Sequence, residues 1–356
     1  MRALDAPDLY ERLDPANIRA RIADLPRQAR EAWSQGCEWP LPAELQRRPA
    51  RVLLLGVGGS AIGADVVASL ATDDSTVPVQ LIRNYAAPPT DGRSLVVACS
   101  FSGETEETLL AFQAELHTPG PRLAVTTGGT LAEVAERAGV PVFRYTWDGP
   151  PRSALGYGVF ALLAILSRAG VLGADPSVVD ATIRGLEADA KALGVDTPYE
   201  RNPAKQLAHW LHGGVPVVIG ADILEVAARR WAGQIAENAK QWALPAALPE
   251  IDHNLIVGFG APAHALPSLR ALILDGAAVH PRNRLRATLT LEALVGAGVP
   301  GRAVEVPGAS TLEAATRGCY LGDWTSLYLA ILNDADPAPA EPIDRLKDAL
   351  SRRAER

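Results

Sequence analysis

The sequence contains few cysteines and no long apolar run. Its three cysteines, Cys37, Cys99 and Cys319, are too few and too scattered for a disulfide framework or a zinc site. No apolar stretch reaches the roughly 18 residues that a membrane-spanning helix requires. The first residues, MRALDAPDLYERLD, lack the basic and then apolar order of a secretion signal. These absences predict a cytoplasmic protein without membrane partners.

Acidic residues outnumber basic residues, and nearly all of the basic residues are arginines. A formal net charge of −7 argues against a general nucleic-acid binder, although it leaves room for a local basic pocket. Only four of the 34 basic residues are lysines. Because arginine fills most routine surface roles, each lysine is a better indicator of a place that needs a compact ammonium group.

Strand-like and helix-like segments alternate twice along the chain. After an N-terminal helical segment, residues 1–48, the first series predicts five strands between Val52 and Tyr145. A polar connection near residues 175–205 precedes the second series, with strands predicted at Val215–Gly220, Leu255–Gly258, Leu269–Leu274 and Ala303–Val306. Such alternation is typical of parallel sheets covered by helices on both faces. We predict an α/β fold with two domains, residues 49–174 and 205–356, the latter ending in a C-terminal helix.

A hydroxyl-rich turn follows the third predicted strand. In CSFSGETEET, residues 99–108, Ser100, Ser102 and Thr105 surround Gly103. A turn between a strand and a helix start exposes backbone N–H groups and the positive end of the helix dipole, which favour an anion. The alternative is a simple helix cap, in which one hydroxyl would suffice. Three hydroxyls favour a phosphate site, which places phosphate binding in the first domain.

A glycine-rich turn, Gly56-Val-Gly-Gly-Ser-Ala-Ile-Gly63, follows the first predicted strand. Its Gly-x-Gly-x-x-Ala spacing fits a loose dinucleotide fingerprint, but the second strand ends in Arg83-Asn84-Tyr85 instead of the expected carboxylate. Gly59 and Ser60 in this turn could equally contact a sugar phosphate. A tight turn with nothing bound is the third interpretation.

Longer motifs resemble a known family. GVGGSAIGADV at 56–66 and CSFSGETEETL at 99–109 resemble the two signatures of a sugar isomerase (SIS) domain. The motifs PPRSALGYG at 150–158, ENAKQWALPAALPEIDHN at 237–254 and DWTSLYLAILNDADPAP at 323–339 are similar to the bifunctional phosphoglucose/phosphomannose isomerase family. The resemblance implies two SIS domains, a homodimer with a shared active site, and no metal or cofactor. It also implies interconversion of glucose 6-phosphate, and of mannose 6-phosphate, with fructose 6-phosphate.

The resemblance also implies residue roles. Glu237 would be the base that moves a proton between C1 and C2, and Arg152 would lie beside the cis-enediol(ate). Ring opening would fall to His253 of the partner subunit and to Lys347 near the C-terminus. The phosphate would be held by Gly59, Ser60, Ser100, Ser102 and Thr105.

Other interpretations of these residues stay open at the level of sequence. Glu237 could form an i,i+3 ion pair with Lys240 on a solvated helix face, and Arg152 could be an ordinary surface arginine. His253 lies at a loop-to-strand junction, where a lone histidine is usually a surface residue. Lys347 lies on a terminal helix that is predicted to be exposed.

Two positions depart from the family pattern. Glu104 stands where many relatives have asparagine, and a carboxylate there would repel a phosphate unless it points to solvent. Ala338 and Ala340 lie where the family uses a small hydroxyl residue to accommodate the mannose epimer. Since both lack a hydroxyl, we expect mannose 6-phosphate to be the poorer substrate.

Three other functions compete with the isomerase. A sugar-phosphate-binding regulator built on SIS domains would need no catalytic set, so the joint presence of Glu237, His253 and Arg152 argues against it. A dinucleotide-dependent dehydrogenase lacks its ribose-binding carboxylate. An amidotransferase-type sugar synthase needs a glutaminase nucleophile ahead of the SIS domains, and residues 1–50 contain only Cys37.

Overall fold

The N-terminal segment is helical, as the sequence predicts, and contains three α-helices. The structure is a computed structural model that describes residues 3–354. The helices are α1 (Pro7–Leu13), α2 (Ile18–Ala23) and α3 (Leu25–Glu38). On α3 the buried Gln28 donates to Ser153 O at 2.9 Å and accepts from Gly156 N at 3.2 Å. The N-terminal segment therefore supports the backbone of a later loop that carries a candidate site residue.

The first sheet contains five parallel strands in the order β2-β1-β3-β4-β5. Its central strand is buried along its whole length, as expected for a parallel sheet with helices on both faces. The strands are β1 (Arg51–Leu55), β2 (Val79–Ile82), β3 (Ser94–Cys99), β4 (Arg122–Thr126) and β5 (Val142–Arg144). The connecting helices are α4 (Gly58–Asp74), α5 (Glu106–Glu115) and α6 (Gly129–Arg137).

Three helices lead from the first sheet to the second. A π-helical turn, Tyr157–Ala161, continues directly into α7 (Leu162–Arg168). Next come α8 (Pro176–Leu193) and α9 (Pro203–Leu211), whose N-terminal turns are capped by the side chains of Asp175 and Asn202. The predicted polar connection thus consists largely of helix. The residue bounds of the two domains stay a prediction.

The second sheet contains four parallel strands in the order β7-β6-β8-β9. Its strands are β6 (Val215–Ala221), β7 (Leu244–Leu248), β8 (Leu269–Asp275) and β9 (Gly301–Glu305). Its helices are α10 (Leu224–Ala239), α11 (Pro281–Gly296), α12 (Thr311–Leu332) and α13 (Glu341–Ala354). The predicted α/β architecture, two parallel sheets flanked by helices, is confirmed.

One predicted strand is wrong and one observed strand was not predicted. Leu255–Gly258 forms a 3-10 helix, in which Val257 is 90% exposed. The error arises because a short apolar run carries no sign of whether it is buried. The missed strand is β7, an edge strand that contains Pro245, and proline weakens the strand signal.

Helices α10 and α12 pack closely against each other. Trp231 of α10 is fully buried and donates from Nε1 to Gly318 O at 2.7 Å. At Gly322 a Cβ would lie 2.3 Å from the Trp231 ring, so only glycine permits this close approach. Although α12 is long and mostly buried, no helix within residues 3–354 has the length and apolarity to cross a membrane.

Candidate active site

The carboxyl ends of β1 and β3 form a topological switch point. The two strands are parallel neighbours, and their outer partners, β2 and β4, continue the sheet in opposite directions. In open α/β sheets the crevice at such a point is where ligands bind. The glycine-rich turn leaves β1 and the hydroxyl-rich turn leaves β3, so the fold brings the two motifs to one crevice.

Hydroxyl groups connect these two turns. Ser60 Oγ accepts from Phe101 N at 2.8 Å, and Ser100 Oγ lies 2.9 Å from Thr105 Oγ1. Ser100 is buried, whereas Ser102 is exposed. We call the set Gly59, Ser60, Ser100, Ser102 and Thr105 the hydroxyl cradle.

The helix-cap interpretation of the hydroxyl-rich turn is wrong. Thr105 is the N-cap of α5, yet its side chain accepts no hydrogen bond from the first turn of that helix. Ser100 Oγ and Ser102 Oγ instead accept from Gly103 N at 3.1 Å and from Glu104 N at 3.2 Å, within the turn itself. The backbone N–H groups at the start of α5 therefore have no side-chain cap and stay available to an anion.

Glu104 is bound to a different helix. Its Oε1 accepts from Thr130 N at 2.7 Å and its Oε2 from Thr130 Oγ1 at 2.8 Å, in the first turn of α6. A negative charge is favourable at a helix N-terminus. Glu104 is exposed, and its carboxylate is also bound at the start of helix α6, where its charge is favourable.

Arg152 lies at the centre of a buried network. Pro150 and Pro151 precede it in a 3-10 turn, and its side chain is 7% exposed. Nε donates to Asn238 Oδ1 at 2.8 Å, while one terminal nitrogen donates to the carbonyls of Pro337 and Ala338, each at 2.7 Å. Burial lowers the pKa of this guanidinium from its ordinary value, and Glu237 counteracts that effect. The surface-arginine interpretation is wrong.

Glu237 faces Arg152 from the last turn of α10. Its Oε2 lies 3.5 Å from an Arg152 terminal nitrogen, and its side chain is 30% exposed. At Gly59 a Cβ would lie 2.9 Å from Arg152 N, so the hydroxyl cradle directly adjoins Arg152. One site therefore joins the hydroxyl cradle, a buried cation and a partly accessible carboxylate.

Lys240 ends α10 in a left-handed conformation, with φ at 54°. Its Nζ donates to the carbonyls of Glu237 at 2.5 Å and Pro339 at 2.8 Å. Burial lowers the pKa of this ammonium group from its ordinary value. The lysine therefore fastens the loop before α13 to the end of α10, and the ion pair of Glu237 is with Arg152, not with Lys240.

His253 and Lys347 lie away from these groups. His253 is exposed in the 3-10 helix Glu250–His253, and Lys347 is exposed on α13. Within residues 3–354, neither forms a hydrogen bond or ion pair with Arg152 or Glu237.

Helix length separates His253 from Glu237 within one chain. Leu248, just before the His253 helix, pairs with Ala221 at the carboxyl end of β6. Helix α10 starts at that end and runs back, so its rise from Leu224 to Glu237 places the carboxylate roughly 20 Å away along the helix axis.

The residues that orient Arg152 were not predicted. Arg230 donates to Arg152 O at 2.9 Å and forms a buried, two-point ion pair with Asp323 at 2.7 and 2.8 Å. Asn238, next to Glu237, holds the Arg152 Nε and donates to Ser326 Oγ at 2.9 Å. A buried asparagine inside a helix was the one available signal, because such groups need a dedicated partner.

The described part of the chain offers no metal site and no ribose-binding carboxylate after β2. No group of three or more His, Cys, Asp or Glu side chains within residues 3–354 is arranged to hold a metal ion. At the end of β2, Arg83 pairs with Asp65 at 2.5 Å, and Asp65 is shared with Arg229. Asp65 is therefore engaged by two arginines.

Known proteins with similar sequences carry isomerase names. The chain is 34% identical to the bifunctional phosphoglucose/phosphomannose isomerase of Caldicellulosiruptor bescii over 93% of this chain and 98% of that protein. The protein of the same name from Aquifex aeolicus is 30% identical over 85% and 91% of the two chains.

A family description and a solved structure agree with these relatives. Residues 200–350 match the family described as bacterial phospho-glucose isomerase C-terminal SIS domain. The crystal structure of a hypothetical protein from Thermus thermophilus has the same fold, with a TM-score of 0.74 at 20% identity over 98% of this chain and 92% of that one. The chain belongs to the bifunctional phosphoglucose/phosphomannose isomerase family.

Proposed function

We propose that this protein is an aldose–ketose isomerase that interconverts glucose 6-phosphate and mannose 6-phosphate with fructose 6-phosphate. The observation that carries the proposal is the Glu237 carboxylate, 3.5 Å from the buried Arg152 guanidinium and next to the hydroxyl cradle. Proton transfer beside a carbonyl needs a base and a positive group at the developing oxyanion. These residues supply both.

The hydroxyl cradle binds the substrate phosphate. Ser60, Ser100, Ser102 and Thr105 offer hydroxyl donors, and the starts of α4 and α5 add backbone N–H groups and helix dipoles. A phosphate held there directs the other end of the sugar toward Arg152, because Gly59 contacts the Arg152 backbone. The cradle positions the substrate and takes no part in the proton transfer.

Glu237 transfers the proton. In the direction from aldose to ketose, the carboxylate takes the C2 proton of the open-chain sugar and forms a cis-enediol(ate). It then returns that proton to C1, while the O2 proton moves to O1. Arg152 stabilises the negative charge on the enediolate oxygens. The predicted absence of a metal or cofactor is part of this mechanism.

Ring opening uses a second copy of the chain. His253 and Lys347 are exposed, and helix α10 keeps Glu237 away from the His253 of the same chain. Exposed apolar side chains follow His253 in the next 3-10 helix and lie on α11, which packs against that helix, namely Leu255, Ile256, Val257, Leu285 and Leu289. Several exposed apolar side chains on two packed helices are typical of an interaction site. We expect a homodimer in which this surface is covered and His253 of the partner subunit completes the site.

Isotope exchange tests the proposal. Purified protein with EDTA is incubated with glucose 6-phosphate in D2O, and the reaction is followed by NMR. Conversion to fructose 6-phosphate is the expected result, and deuterium enters at C1 or C2 whenever the proton held on Glu237 exchanges with solvent before it is returned. A ligand-induced rise in melting temperature without turnover would instead support the non-catalytic regulator, to which the comparisons give no support.

Substrate preference is tested in the same assay. Ala338, which lacks a hydroxyl, borders Arg152 through its carbonyl. We therefore expect kcat/KM to be higher for glucose 6-phosphate than for mannose 6-phosphate. An activity of this kind fits the predicted cytoplasmic location and a role in glycolysis or gluconeogenesis.

A further inference from the structure

A second cationic site lies at the opposite edge of the first sheet. A cavity of about 1180 Å³ opens where the chain enters the amino ends of the strands. Its charged lining consists of four arginines and one acid, namely Arg47, Arg48, Arg93, Arg122 and Glu44. The chain as a whole has more acidic than basic residues, so this local excess of arginine is unusual for the molecule.

Three of these four arginines, Arg47, Arg48 and Arg122, form no ion pair with a carboxylate within residues 3–354, and only Arg93 does. Fifteen arginines within residues 3–354 lie within 4.0 Å of a carboxylate oxygen. Arg47 and Arg48 are not among them. Neighbouring guanidinium groups without acids repel one another, and an anion would relieve that repulsion. Among the cavity arginines, Arg93 forms an ion pair, with Asp91. The N···O distance of this pair is 3.9 Å and both side chains are exposed. Exposed ion pairs of this kind contribute little free energy.

The cavity has a defined backbone frame. Ala50 N donates to Arg93 O at 2.8 Å, which fixes the loop before β1 against the loop before β3. Arg48 donates to Thr76 Oγ1 at 2.5 Å, so its guanidinium is already oriented. The buried Arg122, which also lines the cavity, donates to the carbonyls of Glu115, Gly120 and Thr118. Cationic groups are thus presented from two loops whose backbones are hydrogen-bonded to each other.

We propose that this arginine cavity binds a small molecule carrying two or more phosphate groups. Guanidinium groups bind phosphate oxygens through paired N–H donors. Two separated sources of charge, Arg47 with Arg48 on one loop and Arg93 on the other, suit a ligand with several phosphates better than a single phosphate. The site differs from the hydroxyl cradle, because the six residues of β3 hold Arg93 and Ser100 roughly 20 Å apart.

Calorimetric titration with inorganic tripolyphosphate at 150 mM NaCl tests the site. The test variant is R47E/R48E, and the matched control, R184E/R201E, makes the same charge change at exposed arginines elsewhere. We expect at least a tenfold loss of affinity in R47E/R48E and less than a twofold change in the control. Binding of tripolyphosphate to the hydroxyl cradle would be common to all the proteins and would not alter the difference.

Two further measurements decide the ligand class. R93Q, on the other loop, should weaken tripolyphosphate binding at least threefold, and inorganic phosphate should bind the wild type at least tenfold more weakly than tripolyphosphate. Equal losses in R47E/R48E and the control, or equal affinity for phosphate and tripolyphosphate, would overturn the proposal. Melting curves check the fold, and both substituted side chains in R47E/R48E are exposed.

Discussion

The carboxyl edges of the two sheets have the same topology and opposite chemistry. Between β1 and β3 the first sheet presents the hydroxyl cradle. Between β6 and β8 the second sheet presents two carboxylates, Asp222 and Asp275. Asp222 accepts from His280 N at 2.9 Å and from Asn283 Nδ2 at 2.7 Å, at the start of α11. Asp275 accepts from Gly276 N at 2.8 Å and pairs with Arg284.

The comparison shows that the strand order creates a crevice at each switch point, and that the side chains lining the crevice decide whether it can bind an anion. In the second sheet the positive start of α11 is already occupied by an aspartate of the same chain, which leaves nothing there for a phosphate. The second half contributes to the site from its other end. Helix α10 runs back from the carboxyl edge, and its last turn brings Glu237 to the cradle side of Arg152. Each half therefore performs a different part of the proposed reaction.

Replacing the base should have the largest effect. In Glu237→Gln the amide cannot accept the C2 proton, so we expect kcat to fall about 1000-fold with KM changed little. Steady-state kinetics measure this. The matched control is Glu225→Gln on the same helix, whose carboxylate pairs with Arg229, and it should retain near-normal kcat. A Glu237→Gln enzyme with normal turnover would contradict the assigned role.

Arg152→Lys should have the next largest effect. A lysine cannot reach Asn238 and the carbonyls of Pro337 and Ala338 together in the planar arrangement of a guanidinium. We expect kcat to fall about 100-fold, the range for losing one stabilising group at an oxyanion. The control, Arg144→Lys, alters an exposed ion pair with Glu136. A fall of less than threefold in Arg152→Lys would assign Arg152 a purely structural role.

The two carboxyl edges can be compared directly by paired substitutions. Thr105→Val removes a cradle hydroxyl and should raise KM about tenfold with kcat nearly constant, since phosphate binding is the same in ground and transition states. Asp222→Asn alters the carboxyl edge of the second sheet, directly after β6, and should leave KM unchanged. If Asp222→Asn raised KM as much as Thr105→Val, the division of labour between the two edges would be refuted.

Sequence patterns predicted local motifs better than long-range contacts. The strand, turn and helix order around Ser100 lies within a dozen residues, so its place at the sheet edge could be inferred. The network around Arg152 joins residues 78 to 186 positions apart, and no single segment encodes it. Leu255–Gly258 misled because its apolar residues face outward. The position of Glu104 depended on Thr130, which is 26 residues away in another helix.

Glu104→Gln should have the smallest effect and completes the comparison. If the carboxylate caps α6, as its two bonds to Thr130 indicate, the substitution removes a favourable charge at a helix N-terminus. We expect it to lower the free energy of unfolding by about 0.5 kcal/mol, seen as a small drop in melting temperature. KM for glucose 6-phosphate should change less than twofold, because α6 already compensates the charge. A KM several-fold lower than the wild-type value would mean that Glu104 repels the substrate phosphate. The carboxyl edge of the first sheet would then carry an unfavourable acid, as the edge of the second sheet does with Asp222 and Asp275.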